Sequence, residues 1–135
     1  MDTVQRLRTV PGIGLITATA LVAFVGSPRR FPSGRRFASY LGLVPKEFSS
    51  GAVRRRGHIH KRGDVYLRTL LIHGARAVLC HAKRRATPDG LRAWALQTEK
   101  RCGHNVAAVA LANKLARIAW ATWSREEDFR TKPCP

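Results

Sequence analysis

The residues best suited to chemistry lie in one glycine-containing segment, from Gly42 to Leu71. It contains Ser49-Ser50-Gly51, followed by a run of basic residues and two histidines, His58 and His60. A serine hydroxyl can attack phosphorus when neighbouring cations stabilise the developing charge and a base accepts the proton. Either histidine or an external group could be that base. Serine before glycine is also typical of an ordinary turn, so the local residues leave both interpretations open.

The charge of the chain is a second feature that indicates a phosphate ligand. Twenty-five Lys and Arg residues against eight Asp and Glu give a formal net charge of +17. Residues 29–85 hold fifteen of these cations and only two acids, Glu47 and Asp64. Such an excess favours a polyanionic partner, with nucleic acid as the first candidate and an anionic membrane surface as the second. The phosphate-binding candidates in the loop are Arg54, Arg55, Arg56, Lys61 and Arg62.

A glycine turn near the N-terminus is the third candidate site. Val10-Pro11-Gly12-Ile13-Gly14 precedes an apolar segment, an order that resembles a helix-hairpin-helix. In that motif the backbone N–H groups, here those of Gly12 and Gly14, contact DNA phosphates without reading the base sequence. The alternative is an ordinary glycine turn between packed helices.

The cysteines and the apolar segments bound the remaining possibilities. Cys80, Cys102 and Cys134 are odd in number and form no C-x-x-C pair, so neither a disulfide framework nor a zinc site is expected. The first residues show no signal-peptide pattern, and the apolar run Leu15–Val25 is too short to span a bilayer. We therefore expect a cytoplasmic protein that does not enter the membrane.

Helical spacing of apolar residues predicts a small all-α domain. The expected helices are Val4–Val10, Leu15–Val25, Gly34–Leu41 after a Ser33 N-cap, Val65 to about Lys83 after an Asp64 N-cap, Thr87-Pro88 to about Arg101, and Asn105 to about Trp123. Residues 43–63 lack this period and predict one long basic loop, which can include a short hairpin around Val53–Ile59.

These elements predict one domain over residues 1–128. It contains the helix-hairpin-helix at about 4–26, the serine-containing basic loop at 42–63 and a helical remainder at 64–127, in which a long central helix follows the loop. Residues 129–135 are expected to form a frayed tail.

The segment GLVPKEFSSG, followed by RRRGHIHKRGDVYLRTLL, resembles the C-terminal domain of insertion-sequence transposases of the IS110/IS116/IS902 type, the bridge-RNA-guided recombinases. The resemblance covers about residues 4–123. Two positions depart from the usual pattern: Asp64 stands where asparagine is more usual, and His60 replaces a common serine. The matching positions are Gly42, Leu43, Pro45, Ser50, Gly51, Gly57, Ile59, Lys61, Gly63, Leu67 and Arg68.

The resemblance implies a specific activity. In this family a serine attacks a DNA phosphodiester and forms a covalent serine–DNA intermediate. Ser50 matches the position of that serine best, with Ser49 as its rival. Arg56, Lys61 and Arg68 would then bind the scissile or flanking phosphates. Double-stranded DNA is the expected partner, and the full-length family implies a guide RNA and a homo-oligomer.

The resemblance also implies that a further part of the site lies elsewhere. Family members carry an N-terminal RuvC-like domain whose acidic residues bind Mg²⁺, and this sequence is expected to lack it. No cofactor or metal is therefore expected in this chain itself, and the isolated chain is predicted to be inactive. Two alternatives remain: a noncatalytic helix-hairpin-helix module that binds nucleic acid, and a basic structural protein that binds RNA.

Overall fold

A computed structural model describes residues 3–43, 45–50, 53–59 and 64–130 of the chain. In this part of the chain six α-helices form the domain, which confirms the predicted all-α class, and one two-stranded antiparallel hairpin joins the third helix to the fourth. The helices are α1 Thr3–Leu7, α2 Leu15–Val25, α3 Gly34–Tyr40, α4 Val65–Ala82, α5 Gly90–Cys102 and α6 His104–Arg125. A 3-10 turn covers Pro28–Arg30, and the strands are β1 Pro45–Ser50 and β2 Val53–Ile59.

Side-chain caps determine where three of the helices begin. The Ser33 hydroxyl accepts the N–H of Arg36, and one Asp64 carboxylate oxygen accepts the N–H of Tyr66 at 3.0 Å, so both predicted caps are confirmed. The predicted start of α5 at Thr87-Pro88 is wrong. The carboxylate of Asp89 accepts the N–H of Arg92 at 2.9 Å, and the helix therefore begins two residues later than the proline signal indicates.

The first helix is shorter than its apolar pattern predicts. It ends at Leu7 rather than at Val10. Val10 precedes a proline, and the ring of that proline disfavours a helical backbone at the residue before it. The chain instead turns tightly, with the N–H of Val10 bonding the carbonyl of Leu7 at 3.1 Å.

Helix α6 is the centre of the core, since α1, α3, α4 and α5 all pack against it. Its buried face is largely alanine and leucine at helical spacing, and the small side chains let neighbouring helices approach closely. Apolar spacing in the sequence predicts that Val109, Leu111, Leu115, Ile118 and Ala119 point inward. Leu111, Leu115 and Ala119 are buried, whereas Val109 and Ile118 are only partly covered. The prediction was wrong for those two because three alanines of the same helix, Ala108, Ala112 and Ala116, take the inner face.

The glycine turn packs backbone to backbone against α4. Gly12 has φ +83°, a conformation that favours glycine. A Cβ added to Gly74 of α4 would lie 2.1 Å from the Gly12 carbonyl oxygen, and a Cβ on Gly12 would lie 3.0 Å from Leu115 Cδ1. No side chain fits between the turn and α4, so two glycines are needed for this contact.

Polar contacts tie the ends of the chain and its loops to this core. Trp120 Nε1 donates to the Pro28 carbonyl at 3.0 Å, and Asn113 Nδ2 donates to the Leu43 carbonyl at 3.3 Å. The N–H of Phe129 donates to Thr9 Oγ1 at 2.9 Å, and the Phe129 ring packs against the core. The prediction that the chain frays from residue 129 onward is therefore wrong for Phe129. Residues 131–135 lie outside the described part of the chain.

No helix in the described ranges is long and apolar enough to cross a membrane.

Replacing Gly74 by alanine is expected to destabilise the domain by about 1–3 kcal/mol or more, because the new Cβ overlaps the Gly12 carbonyl oxygen. Urea denaturation followed by circular dichroism measures the free energy of unfolding. Gly14→Ala is the matched control, since a Cβ there meets nothing within 4 Å. The control is expected to cost less than about 1 kcal/mol, through the weaker N-cap alone. Equal effects of the two substitutions would contradict the close approach.

Candidate nucleic-acid interface and serine hairpin

The two serines and the three consecutive arginines lie on opposite strands of one hairpin. In the antiparallel register Ser50 pairs with Val53 and Ser49 pairs with Arg54. Phe48 and Glu47 pair with the next two arginines, Arg55 and Arg56. Facing Cα atoms in such a ladder are about 4.5–5.5 Å apart. A hairpin is present in the predicted loop, but not where the sequence predicts it: Val53–Ile59 forms only the second strand. The first strand begins at Pro45, where the sequence gives no strand signal.

The other predicted loop residues are distributed around this hairpin. His58 lies in β2, and Arg68 lies near the start of α4, partly buried, with its N–H bonded to the Asp64 carbonyl at 3.0 Å. Gly51, His60, Lys61 and Arg62 lie outside the described residues. The structure therefore brings Ser49, Ser50 and Arg54–Arg56 together in the backbone register, and places Arg68 on a separate element.

The predicted phosphate-binding glycines have different surroundings. Gly14 is exposed at the N-cap of α2, and its carbonyl accepts the N–H of Ala18 at 2.9 Å. Gly12 is partly buried, and the side of its Cα that would carry a Cβ is filled by α4 and α6. The sequence predicts phosphate binding for both glycines, whereas the structure shows Gly12 packed against α4 and α6.

An open cleft beside the glycine turn contains cations that sequence reasoning did not single out. Its lining includes Gly12, Val78, His81, Arg84, Arg85 and Arg92. Arg84 and Arg85 are exposed just beyond the end of α4. They follow His81 by three and four residues, a spacing that places the three side chains on one face of a helical turn and could have revealed the cluster. Exposed cations therefore lie beside the glycine turn, at the end of α4.

Several other cations are neutralised within the fold. Glu99 of α5 accepts from Lys83 Nζ at 2.9 Å and contacts His104 Nδ1 at 2.8 Å. Arg92 pairs with Asp89, the cap of its own helix. The hydrogen bonds from His104 and Lys83 hold the pKa of Glu99 below its ordinary value of 4.5. Glu99 thereby joins the end of α4 to the start of α6.

Arg30 also has a structural role. Its Nη1 donates to the Val25 carbonyl at 2.9 Å, and its guanidinium lies 5.6 Å and 5.7 Å from the ring centroids of Phe31 and Tyr40. Cation–π contacts of this kind hold the side chain against the domain. Membership of the basic region alone therefore does not make an arginine available to a ligand.

Residues 4–89 match the transposase family described as IS116/IS110/IS902, and the chain belongs to this family of insertion-sequence transposases. Three curated relatives show the same kinship. The chain is 53% identical over 128 residues to a "Probable family 20 transposase" of Pseudomonas aeruginosa, covering 94% of this chain and 37% of that protein. It is 45% identical over 126 residues to the transposase for insertion sequence element IS1111A of Coxiella burnetii, covering 93% and 34%. It is 43% identical over 128 residues to the transposase for insertion sequence element IS1328 of Yersinia enterocolitica, covering 95% and 38%.

The chain thus spans somewhat more than a third of the length of these relatives. The similarity confirms the predicted family and supports a transposase role.

Replacing Glu99 by glutamine is expected to make the free energy of unfolding fall less steeply as the pH is lowered. A carboxylate whose pKa is lowered by folding contributes stability above its unfolded pKa, and this contribution disappears as the pH falls through the folded pKa. The stability difference between wild type and Glu99→Gln should therefore be largest near pH 5 and shrink steadily below about pH 4.5. Urea denaturation between pH 5 and pH 3 measures it, with the exposed Glu126→Gln as control. A difference that stays constant down to pH 3 would rule out the Glu99 pairing.

Proposed function

We propose that the chain is the DNA-binding, serine-bearing catalytic part of an insertion-sequence transposase, with Ser50 as the nucleophile. The observation that carries this proposal is the register of the hairpin in a chain of this family. It sets the strand that contains Ser49 and Ser50 directly opposite the strand that contains Arg54–Arg56. A nucleophile and a source of positive charge are thereby held on one two-stranded element, as attack on a phosphodiester requires.

The proposed step exchanges one phosphoester bond for another. Ser50 Oγ forms a bond to phosphorus while the bond from phosphorus to a deoxyribose oxygen breaks. The serine proton passes to a base, for which His58, His60 or an external group are the candidates, and the departing sugar oxygen takes up a proton. Arg54, Arg55, Arg56, Lys61, Arg62 and Arg68 are proposed to neutralise the scissile and flanking phosphates. Because the covalent intermediate keeps a phosphoester, a second sugar hydroxyl can displace the serine and join a new strand.

The remaining parts of the reaction are assigned to the longer protein. In the described part of this chain, no three His, Cys, Asp or Glu side chains converge as a metal-ligand set, and we assign no magnesium ligand to it. Since the chain spans only 34–38% of the cited relatives, we propose that the isolated chain binds duplex DNA in the cytoplasm but does not transpose it. A guide RNA and a homo-oligomer are proposed partners of the full-length protein.

Ser50→Ala is expected to abolish the covalent protein–DNA adduct, because no Oγ remains to attack phosphorus. The substitution is made in a version extended to the length of the relatives and incubated with a DNA duplex that carries the element's end. The adduct is measured by denaturing electrophoresis of labelled DNA. Binding of the duplex, measured by fluorescence anisotropy, should change by less than about twofold, since serine carries no charge.

Ser49→Ala is the matched control for this experiment. It removes a hydroxyl from the neighbouring position of the same strand and should leave the adduct intact. An adduct that persists in Ser50→Ala and disappears in Ser49→Ala would move the nucleophile to Ser49. Persistence in both single variants and in the double variant would overturn the serine mechanism.

A noncatalytic nucleic-acid-binding module is the second candidate function. It is favoured by the exposed Gly14 at the N-terminus of α2, together with the basic cleft around Arg84 and Arg85. These features position a phosphate backbone without any reacting group. The absence of an adduct from both serines, with DNA binding retained, would favour this function.

The isolated chain is expected to bind duplex DNA with an affinity that falls steeply as salt rises. Four or more phosphate contacts predict a slope of about −3.6 or steeper for log affinity against log salt concentration, because each contact releases condensed counterions. Fluorescence anisotropy at four potassium chloride concentrations measures the slope. A flat response would contradict a nucleic-acid function, and a stronger preference for structured RNA would favour the structural RNA-binding alternative.

A further inference from the structure

A second basic cleft lies on a different face of the domain, between α3 and α6. It is an open cleft of about 430 Å³, lined among others by Ser33, Gly34, Arg35, Lys114, Arg117 and Trp120. A smaller cleft of about 210 Å³ continues it and is lined by Arg35, Ala38, Asn113 and Arg117. Because the two clefts share Arg35 and Arg117, they form one groove along the seam of the two helices, here called the α3/α6 groove.

The close packing of the two helices creates this groove. A Cβ added to Gly34 would lie 3.2 Å from the Arg117 carbonyl oxygen and 3.3 Å from its Cα. The backbone of α3 therefore begins almost in contact with α6, which sets Arg35 beside Arg117. Trp120 closes this part of the seam by donating its Nε1–H to the Pro28 carbonyl at 3.0 Å. The two arginines are brought together by backbone packing and do not depend on a ligand.

Among the described residues, no acid balances the charges of the α3/α6 groove. Arg35 and Arg117 are both exposed, and in the described part of the chain neither has a carboxylate within salt-bridge distance. Lys114 is held with its Nζ 4.3 Å from the ring centroid of Trp94, a contact that leaves its charge uncompensated. Three cations gathered in one groove repel each other, and a polyanion relieves this repulsion.

The narrower part of the α3/α6 groove lies towards the serine hairpin. Asn113, which lines its narrower part, donates to the Leu43 carbonyl at 3.3 Å. Leu43 lies between the end of α3 and the start of β1, the strand that contains Ser49 and Ser50. The α3/α6 groove therefore leads along α6 to the base of the serine hairpin.

We propose that the α3/α6 groove binds the sugar–phosphate backbone of duplex DNA that flanks the phosphodiester at the serine hairpin. This inference rests on the proposed function and names a surface for its substrate. Duplex DNA is favoured over a single strand because the lining offers cations without an exposed aromatic platform. The indole of Trp120 is partly covered and already hydrogen-bonded. Contacts of this kind position the duplex and do not read its sequence.

Sequence reasoning missed this surface for an identifiable reason. Lys114 and Arg117 lie outside the strongly basic region 29–85, within an alanine-rich helix that reads as core. Their spacing of three residues places them on one helix face, but only the packing of α3 adds Arg35 to them.

The test is the salt dependence of DNA binding by the 135-residue chain and two charge-matched double variants. Arg35→Gln with Arg117→Gln removes two cations of the groove. Lys100→Gln with Arg101→Gln removes two exposed cations at the end of α5, about 20 Å from Arg117 along α6. Fluorescence anisotropy with a labelled 20-base-pair duplex gives the slope of log affinity against log salt for each protein.

The groove variant is expected to lower the magnitude of the slope by about 1.8, which corresponds to two lost phosphate contacts, and to weaken binding on the order of tenfold or more at 0.1 M salt. The control should lower the slope by much less, since it changes only the long-range field. Both variants alter exposed side chains and should melt like wild type. Should the double variant fail to fold, Arg117→Gln alone gives the same comparison, with an expected slope change of about 0.9.

Equal slopes for the groove variant and the control would overturn the proposal. An RNA duplex of the same sequence is run in parallel, and a larger loss on RNA than on DNA would overturn the assignment to DNA. These outcomes are separate from failure of the catalytic proposal. If the extended protein with both serines intact forms no covalent adduct, the serine mechanism is overturned, while the slope comparison still decides whether the groove binds DNA. If the wild-type chain shows no salt-dependent binding, both proposals are overturned.

Discussion

The backbone contact between Gly12 and Gly74 is the constraint on which the arrangement of the functional elements depends. It lets the turn between α1 and α2 lie directly on α4, with Leu115 of α6 closing the third side. The same helix α4 follows the serine hairpin in the chain and begins at the Asp64 cap. One helix therefore positions both the exposed glycine turn and the end of the segment that contains the candidate nucleophile. A methyl group at either glycine would push the turn away from α4, because the packed interior offers no room to absorb it.

The distribution of charge depends on where the fold places its few acids. The chain contains only eight acids, and the fold uses several of them to fix helix ends rather than to balance the basic surface. Asp64 and Asp89 cap α4 and α5, and Glu99 links the end of α4 to the start of α6. Some of the cations that no acid balances line the cleft beside the glycine turn, and others line the α3/α6 groove. An uneven field of this kind is suited to attract an extended polyanion, as expected of a transposase domain.

The local signals predicted the elements well where a single physical effect dominates. Ser33 and Asp64 marked helix starts because their side-chain oxygens satisfy backbone N–H groups, and apolar spacing located α2, α4 and α6. The signals failed where two effects compete. Asp89 displaced the Thr87-Pro88 start, and alanines displaced Val109 and Ile118 from the inner face. Phe129 was expected to fray, yet a bond to Thr9 at the opposite end of the chain holds it.

By itself the sequence determined the helical class, the basic character, the candidate serines Ser49 and Ser50, and the family that the motif resembles. Each of these depends on composition or on neighbouring residues. Only the tertiary structure decided that Gly12 meets Gly74, that Arg35 lies beside Arg117, and that Asn113 ties α6 to Leu43. The physical reason is that these partners are far apart along the chain. Their contacts follow from how the helices pack on α6, and the spacing of neighbouring residues does not determine that packing.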